Sequence, residues 1–318
     1  MLAFVLDEKG PRMSPDQPEP EPGPGEVVVR VLRAGVCNTD LELARGYMDF
    51  EGVLGHEFVG QALEGPLAGK RVVAGINFGC GRCAWCEGGL ERHCPSRRVM
   101  GILGANGAMA ERVAVPSANL RVVPDGIDDD AAVFAEPVAA ACEILDQLEA
   151  ANGPLEAETP ALVFGAGKLG PLIAQVLAGA GYDVGLVGRH LDSVAWLADR
   201  GITLMDSPPA DRRPLVVEAT GSIEGLRAAV AATSPRGTLV LKTTVAGKHQ
   251  IELAPIVIDE ITLIGSRCGR MEAALERLAS GDVATAGLID ARYELREARS
   301  AFERAAARGT RKVLLRGD

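Results

Sequence analysis

Apolar and polar positions fall into two textures along the chain. In the first third, short apolar runs rich in β-branched residues alternate with irregular segments. Glu26–Leu32 (EVVVRVL), Arg71–Ala74 and Ala110–Val115 read as strands there. The Pro- and Gly-rich run from Pro11 to Gly25 reads as a loop. From about Asp129 the pattern turns to alanine-rich helix, interrupted at Glu136-Pro137, and the polar stretch Asn152–Thr159 reads as a seam between domains. Beyond Pro160 strands and helices alternate. Strands are expected over Ala161–Phe164, Asp183–Val187, Leu215–Val217, Thr238–Leu241 and Ile261–Ile264. Helices are expected over Leu169–Ala180, Ser193–Arg200 and Ile223–Ala232, and the tail adds helices at Met271–Ala279 and Glu297–Arg308 and a strand at Lys312–Leu315. Such alternation predicts a parallel sheet covered by helices.

Length and charge narrow the function. The 318 residues suit two domains, because single cores stop growing near ~250–300 residues. A net charge of −10 argues against nucleic acid as a partner, since neutralising phosphates requires a basic face. No apolar run approaches the ~18–20 residues that span a bilayer, and the amino terminus lacks the basic and apolar segments of a signal peptide. Seven cysteines, four of them crowded between Cys80 and Cys94, suit metal binding in a reducing compartment better than a disulfide framework. A cytoplasmic protein is expected.

Three groups of residues carry candidate chemistry. Gly165-Ala166-Gly167-Lys168-Leu169-Gly170 is a G-x-G-x-x-G that follows a short apolar strand and opens a helix, the setting in which backbone approaches a dinucleotide pyrophosphate at a helix N-terminus. At the end of the next strand stand Gly188, Arg189 and His190, where an NAD-preferring site carries Asp or Glu. Glycine there removes the carboxylate that repels a 2′-phosphate, and Arg189 supplies a guanidinium, so NADP is expected over NAD. Cys80, Cys83, Cys86 and Cys94 place four thiolates within fifteen residues, enough to surround one ion tetrahedrally. An iron–sulfur cluster shares this chemistry, but the last gap of seven residues and the lack of a second cysteine set favour structural zinc. Finally, Cys37, His56 and Glu136 form a thiolate, imidazole and carboxylate set of the kind that leaves an open fourth position on zinc. Each also has a plainer account as a core, loop or surface residue, and their wide separation means spacing does not join them.

Taken in order, Gly35–Asp40, Gly55–Gly60 (GHEFVG), the four cysteines, Glu136-Pro137, the dinucleotide fingerprint and Glu218-Ala219-Thr220-Gly221 resemble the zinc-containing medium-chain dehydrogenase/reductase family, the group of alcohol, sorbitol, threonine and glucose dehydrogenases. The resemblance spans the whole chain. It implies an α/β fold in which a GroES-like, β-rich catalytic domain (1–136, with a structural zinc lobe) is joined to a Rossmann domain with a doubly wound parallel sheet (137–268). Residues 269–318 would return to the catalytic domain. It further implies that Cys37 and His56 ligate a catalytic zinc, with Glu136 as the third ligand and Glu57 as an acid that can exchange onto the metal. Thr39 would begin a proton relay, Cys80, Cys83, Cys86 and Cys94 would hold the structural zinc, and Thr220 would lie by the cofactor.

The implied activity is hydride transfer between NADP(H), or NAD(H), and a small alcohol or carbonyl compound. The acidic third ligand and Thr39-Asp40 lean toward polyols, sugars or amino-alcohols. A zinc-independent NADPH reductase and a catalytically silent NADP-binding regulator are the alternatives. Homodimers or homotetramers are expected, and Ile261–Ile264 resembles the edge strand that pairs across such dimers but reads equally well as an internal strand. The chain departs from the family after GHEFVG, where a short segment from Gln61 to Arg71 replaces a longer one. Tyr47, Met48 and Phe50 follow Cys37 closely enough either to line a substrate pocket or to pack the core.

Overall fold

The computed structural model describes residues 1–153, 158–243 and 251–317. It divides into two compact units: Met1–Glu136 with Ala274–Ala279 and Ile289–Asp318, and Pro137–Ala273 with Ser280–Leu288. Among the described residues no helix is long and apolar enough to cross a membrane.

The first unit is built on a seven-stranded sheet. Its strands run in the order Leu120–Val122, Arg71–Ala74, Glu57–Ala62, Glu26–Gly35, Lys312–Arg316 and Ile289–Glu294, and Arg112–Pro116 also pairs with Glu26–Gly35. The central strand Glu26–Gly35 extends beyond the apolar run that announces it, and alternates buried and solvent-facing residues over much of its length. Register does the positioning. Gly35 lies opposite Glu57 on one side and opposite Leu314 on the other. The ends of three neighbouring strands therefore meet at one place: the residues just past Gly35, those just before Glu57 and those just before Leu314.

Two expectations change here. The Pro11–Gly25 run is not all loop, because Gly10–Ser14 pairs antiparallel with Ala3–Asp7. That strand lies at the edge of a three-stranded sheet, where a proline's missing N–H removes no ladder bond that a neighbour needs. The helix break expected at Glu136-Pro137 falls slightly earlier, at Val133-Phe134, between the helices Asp129–Ala132 and Ala135–Asn152. The second of these carries Pro137 in its first turn, where the amide would have no intrahelical partner in any case. Part of the expected seam, residues 154–157, lies outside the described residues.

The second unit is a six-stranded parallel sheet in the order Thr203–Met205, Asp183–Val187, Pro160–Phe164, Arg213–Glu218, Thr233–Leu241 and Thr262–Gly265. Numbered by chain position this is 3-2-1-4-5-6, the doubly wound Rossmann arrangement. Strands covered on both faces need continuous apolar runs, which explains why Ala161–Phe164 and Val184–Val187 are buried at every residue. On one face Leu162, Phe164, Val187, Val216, Leu239 and Ile261 pack with Val230 of the helix Ile223–Ala232. The expected helix at Ser193–Arg200 is 3-10 in character over Leu191–Arg200, with a kink at Val194.

Candidate metal centres and dinucleotide loop

Cys37 caps the short helix Asn38–Leu43, and Asp40 reaches back so that its Oδ2 accepts the Cys37 backbone N–H at 2.8 Å. This local closure turns Cys37 toward the two strand ends that register has brought alongside. One donor atom each from Cys37, His56 and Glu57 lies within 4.8 Å of the others, a spacing that one metal ion satisfies. His56 and Glu57 are buried. Thr39 places its hydroxyl 3.7 Å from the Cys37 sulfur. Glu136, in the first turn of the helix Ala135–Asn152, does not join the group that meets this spacing; its charge is felt instead at Lys312.

Two residues matter here that sequence reasoning did not assign. Asp40 is fully buried, and its Oδ1 lies 3.3 Å from His56 Nδ1 while accepting the Gly55 N–H. Among the described residues His56 Nδ1 meets no partner with full hydrogen-bond geometry despite its burial. Burial opposes a charge on His56, but the carboxylate of Asp40 and the sulfur of Cys37 outweigh it and raise the imidazole pKa well above its ordinary value. A ring facing a carboxylate on one nitrogen is the usual setting of a metal-ligating histidine, oriented by an acid behind it. The C-x-x-D spacing of Cys37 and Asp40 is the one signal in the sequence that hinted at this acid.

The second residue is Lys312. It is buried, and its Nζ donates to Glu57 Oε2. Burial lowers a lysine pKa, yet the charges of Glu57, Cys37 and Glu136 more than offset it, and the pKa is raised. Nothing in the apolar tail sequence around Lys312 marks it as more than a strand residue.

The four cysteines of the lobe converge as the sequence suggests. All four sulfur atoms lie within 4.8 Å of one another. The lobe hangs between Asn77–Phe78 and Arg98–Met100, which pair antiparallel and close its base. Inside it the Cys94 sulfur accepts the Cys80 N–H at 3.4 Å, and the Cys80 backbone loop, chiefly the Arg82 N–H, draws the Cys80 thiol down to about 7. Cys80 is thereby drawn toward the thiolate that binds metal, whereas burial pushes the Cys86 thiol up to about 11.

In the second unit the fingerprint follows the first strand of the sheet, at the point where strand order reverses. The Gly165 N–H is held by Val187 O and the Ala219 N–H by Phe164 O, which ties the loop to both neighbours. Gly165 has φ +112°, and a Cβ there would sit 2.6 Å from Ala219 O; a Cβ at Gly170 would overlap the Gly165 carbonyl oxygen. At Gly167 a Cβ would meet nothing within 4 Å among the described residues, which suits close approach of a ligand to that face of the loop. Lys168 and Leu169 complete the loop into the helix Gly170–Gly179. Gly188 follows the second strand, Arg189 and His190 are exposed, and His190 takes the left-handed conformation at φ 59°. Thr220 is held by buried Glu218, whose Oε1 accepts both its N–H and its hydroxyl at 2.6 Å. Of the three residues after Cys37 that could line a pocket or a core, Phe50 is buried whereas Met48 is exposed.

These features match known proteins. Residues 23–125 match the alcohol dehydrogenase GroES-like domain. The chain is 31% identical over 345 aligned positions to an L-threonine 3-dehydrogenase of Streptomyces avermitilis, covering 99% of each protein. Among solved structures, it superposes with a TM-score of 0.85 and 28% identity on a protein from Sinorhizobium meliloti 1021 assigned as a zinc-binding dehydrogenase and bound to NADP, covering 99% of this chain and 98% of that one. It likewise superposes with a TM-score of 0.86 and 25% identity on an E. coli CFT073 protein, rspB, described as a short chain alcohol dehydrogenase and complexed with NADH, covering 99% of each. Full-length similarity at this level, on a GroES-like domain followed by a Rossmann sheet, makes the chain an enzyme of the alcohol dehydrogenase type, and it belongs to the zinc-containing medium-chain dehydrogenase/reductase family.

Proposed function

We propose that this protein transfers hydride between NADP(H) and a small alcohol or carbonyl compound, with a catalytic zinc at Cys37 and His56 and a structural zinc at Cys80, Cys83, Cys86 and Cys94. The observation that carries the reading is the convergence of one Cys37, one His56 and one Glu57 donor atom within 4.8 Å, next to the Thr39 hydroxyl. The donor set of thiolate, imidazole and carboxylate fits zinc, and three protein ligands leave a fourth position for substrate. The third ligand is a carboxylate, from Glu57 or Glu136. When bound, zinc supplies Lewis-acid polarisation of the substrate oxygen, and the nicotinamide carries the hydride.

The chain's own residues do the rest. Asp40 orients the His56 ring and stabilises its positive polarisation. Thr39 accepts the hydroxyl proton of an alcohol and passes it away from the site, and in the reverse direction returns it. Gly165, Gly167 and Gly170 let backbone N–H groups approach the pyrophosphate, and Thr220 is positioned by Glu218 at the end of the fourth strand. A polyol, sugar or amino-alcohol substrate accords with the acidic ligand, and threonine is itself an amino-alcohol for the Streptomyces relative. The cysteine-rich lobe Cys80–Cys94 suits metal binding in a reducing compartment, and a cytoplasmic location accords with it. Zinc analysis of fresh protein tests the reading. Two zincs per chain are expected, one of them removed by a mild chelator together with NADPH-dependent carbonyl reduction. A single zinc in protein that still reduces carbonyls would overturn it.

The cofactor preference has its own test. With Gly188 in place of an acid and Arg189 exposed beside it, Arg189→Ala removes one charge-assisted contact to the 2′-phosphate. Its loss is expected to raise KM for NADPH ~10–100-fold and to leave KM for NADH nearly unchanged. Equal effects on both cofactors would remove Arg189 from phosphate recognition.

The subunit partner is a second copy of this chain. Among the described residues no second strand pairs with the outer edge of Thr262–Gly265, the last strand of its sheet. In the helix Ala254–Ile258 that precedes this strand Val257 and Ile258 are 72% and 78% exposed, and Leu263 in the strand is half-exposed. An apolar, unpaired edge of this kind calls for strand pairing. Sedimentation at twice the chain mass or more is expected, with Leu263→Arg shifting it to the single-chain value; a wild-type monomer would contradict this.

A further inference from the structure

The charge balance around Cys37 includes a cation that the proposed chemistry does not use. In the antiparallel pairing of Lys312–Arg316 with Glu26–Gly35, Leu314 lies opposite Gly35 and the Val36 N–H donates to Val313 O at 3.0 Å. Continuing that register brings Lys312 beside Cys37. Its backbone is pinned there, because Asp290 Oδ2 accepts the N–H groups of Arg311 and Lys312 at 2.6 and 3.1 Å. The ammonium stands 5.3 Å from the centre of the buried Phe134 ring and donates to Glu57 Oε2. That same oxygen is backed by Gly35, where a Cβ would come within 2.5 Å of it. One oxygen of Glu57 is therefore caught between the lysine and the strand backbone, while a carboxylate oxygen of the same residue also lies within 4.8 Å of the Cys37 and His56 donor atoms. Lys312 and Glu57 are both at least nine-tenths buried, so water does not screen the pair.

We infer that Lys312 is a positioning residue that tethers Glu57 and thereby limits how tightly the site holds its ion and how fully the ion's coordination shell closes. The inference rests on the reading of Cys37 and His56 as zinc ligands. A lysine that engages one carboxylate oxygen competes directly with a metal for that group. Its charge also opposes a cation placed beside Glu57, whose carboxylate it engages. The tether keeps Glu57 a weak or exchanging ligand and preserves an open position for substrate. Without it, Glu57 becomes a full ligand and the site becomes a tighter, more closed trap. Hydride transfer needs the open state, whereas a purely structural lysine would have no bearing on coordination.

The test follows the ion that is present in wild type and missing from Cys37→Ser, using protein purified with zinc and then exchanged with Co(II). Lys312→Met keeps the length of the side chain and removes the charge. Its ion is expected to leave to a chelator at least ~10-fold more slowly, the scale on which residues behind metal ligands act. Its Co(II) visible absorption should weaken, as expected when coordination number rises. Lys312→Arg should restore the wild-type rate and spectrum. Glu57→Gln leaves Lys312 unbalanced beside the ion, and faster extraction is expected. The double variant Glu57→Gln/Lys312→Met, neutral at both positions, should return toward the wild-type rate, and it keeps the test open should the single lysine variant not fold. Unchanged extraction and spectrum in Lys312→Met, or a double variant as slow as Lys312→Met alone, overturns the inference while leaving the zinc site standing. Wild-type protein with the same ion count as Cys37→Ser overturns the underlying reading and this inference with it.

Discussion

Replacing Cys37 by serine is expected to lower turnover by ~10³-fold or more while NADPH still binds. A serine hydroxyl does not ionise at neutral pH, so the substitution exchanges a thiolate ligand for a neutral oxygen. His56 and one carboxylate remain, too few to hold zinc in an open tetrahedral site. Lewis-acid stabilisation is worth several kcal/mol, and each ~1.4 kcal/mol is a factor of ten in rate. Dinucleotide affinity should survive, because Gly165–Gly170, Arg189 and Thr220 belong to a different compact unit from Cys37. The measurement pairs zinc per chain with NADPH titration and carbonyl reduction on one preparation. Full activity at unchanged metal content would take Cys37 out of the mechanism.

What the sequence discloses and what it conceals divide along a physical line. The dinucleotide loop is local: strand, glycines and helix lie within twenty residues, so their order carries the geometry, and the alternation after Pro160 yields the parallel sheet. The cysteine lobe is local for the same reason. The site around Cys37 is not. Cys37 and His56 are joined by the pairing of Gly35 with Glu57, a register between strands that no periodicity announces. Lys312 arrives through a further pairing from the far end of the chain, and a lone lysine at the start of an apolar strand looks like an ordinary edge residue. Asp40 was visible as a residue type and not as the acid behind His56, since that role depends on burial. Glu136 shows the reverse case. Family resemblance sets it in the ligand shell, whereas the donor atoms that meet closely are those of Cys37, His56 and Glu57. The hairpin at Gly10–Ser14 was hidden because proline and glycine signal a loop more strongly than an edge strand.

Replacing Cys94 by serine should separate stability from chemistry in the opposite sense. Cys94 is fully buried, and its sulfur accepts the Cys80 N–H within the lobe. Between Cys80 and Cys94 the backbone forms only the four-residue helix Ala84–Glu87 and the three-residue turn Glu91–His93, neither long enough to persist unaided. Trp85 lies half-exposed on this lobe, so little apolar burial compensates for a missing ion. Structural zinc contributes its binding energy as folding energy, ~10–16 kcal/mol in isolated zinc-finger peptides. Here the strands Asn77–Phe78 and Arg98–Met100 still close the base, so the loss should be local and cost a few kcal/mol. At ~2–4 °C per kcal/mol for domains of comparable size, Tm is expected to fall by roughly 5–10 °C. Protease should cut between Cys80 and Cys94, and Trp85 fluorescence should shift to the red, while the ion lost in Cys37→Ser stays bound. Cys37→Ser should then lose turnover with its Tm nearly intact, and Cys94→Ser should lose Tm with part of its turnover intact. If Cys94→Ser instead kept its zinc count and its resistance to protease, the fourth sulfur would not be needed to hold the lobe. The lobe's sparse core gives no physical reason to expect that result.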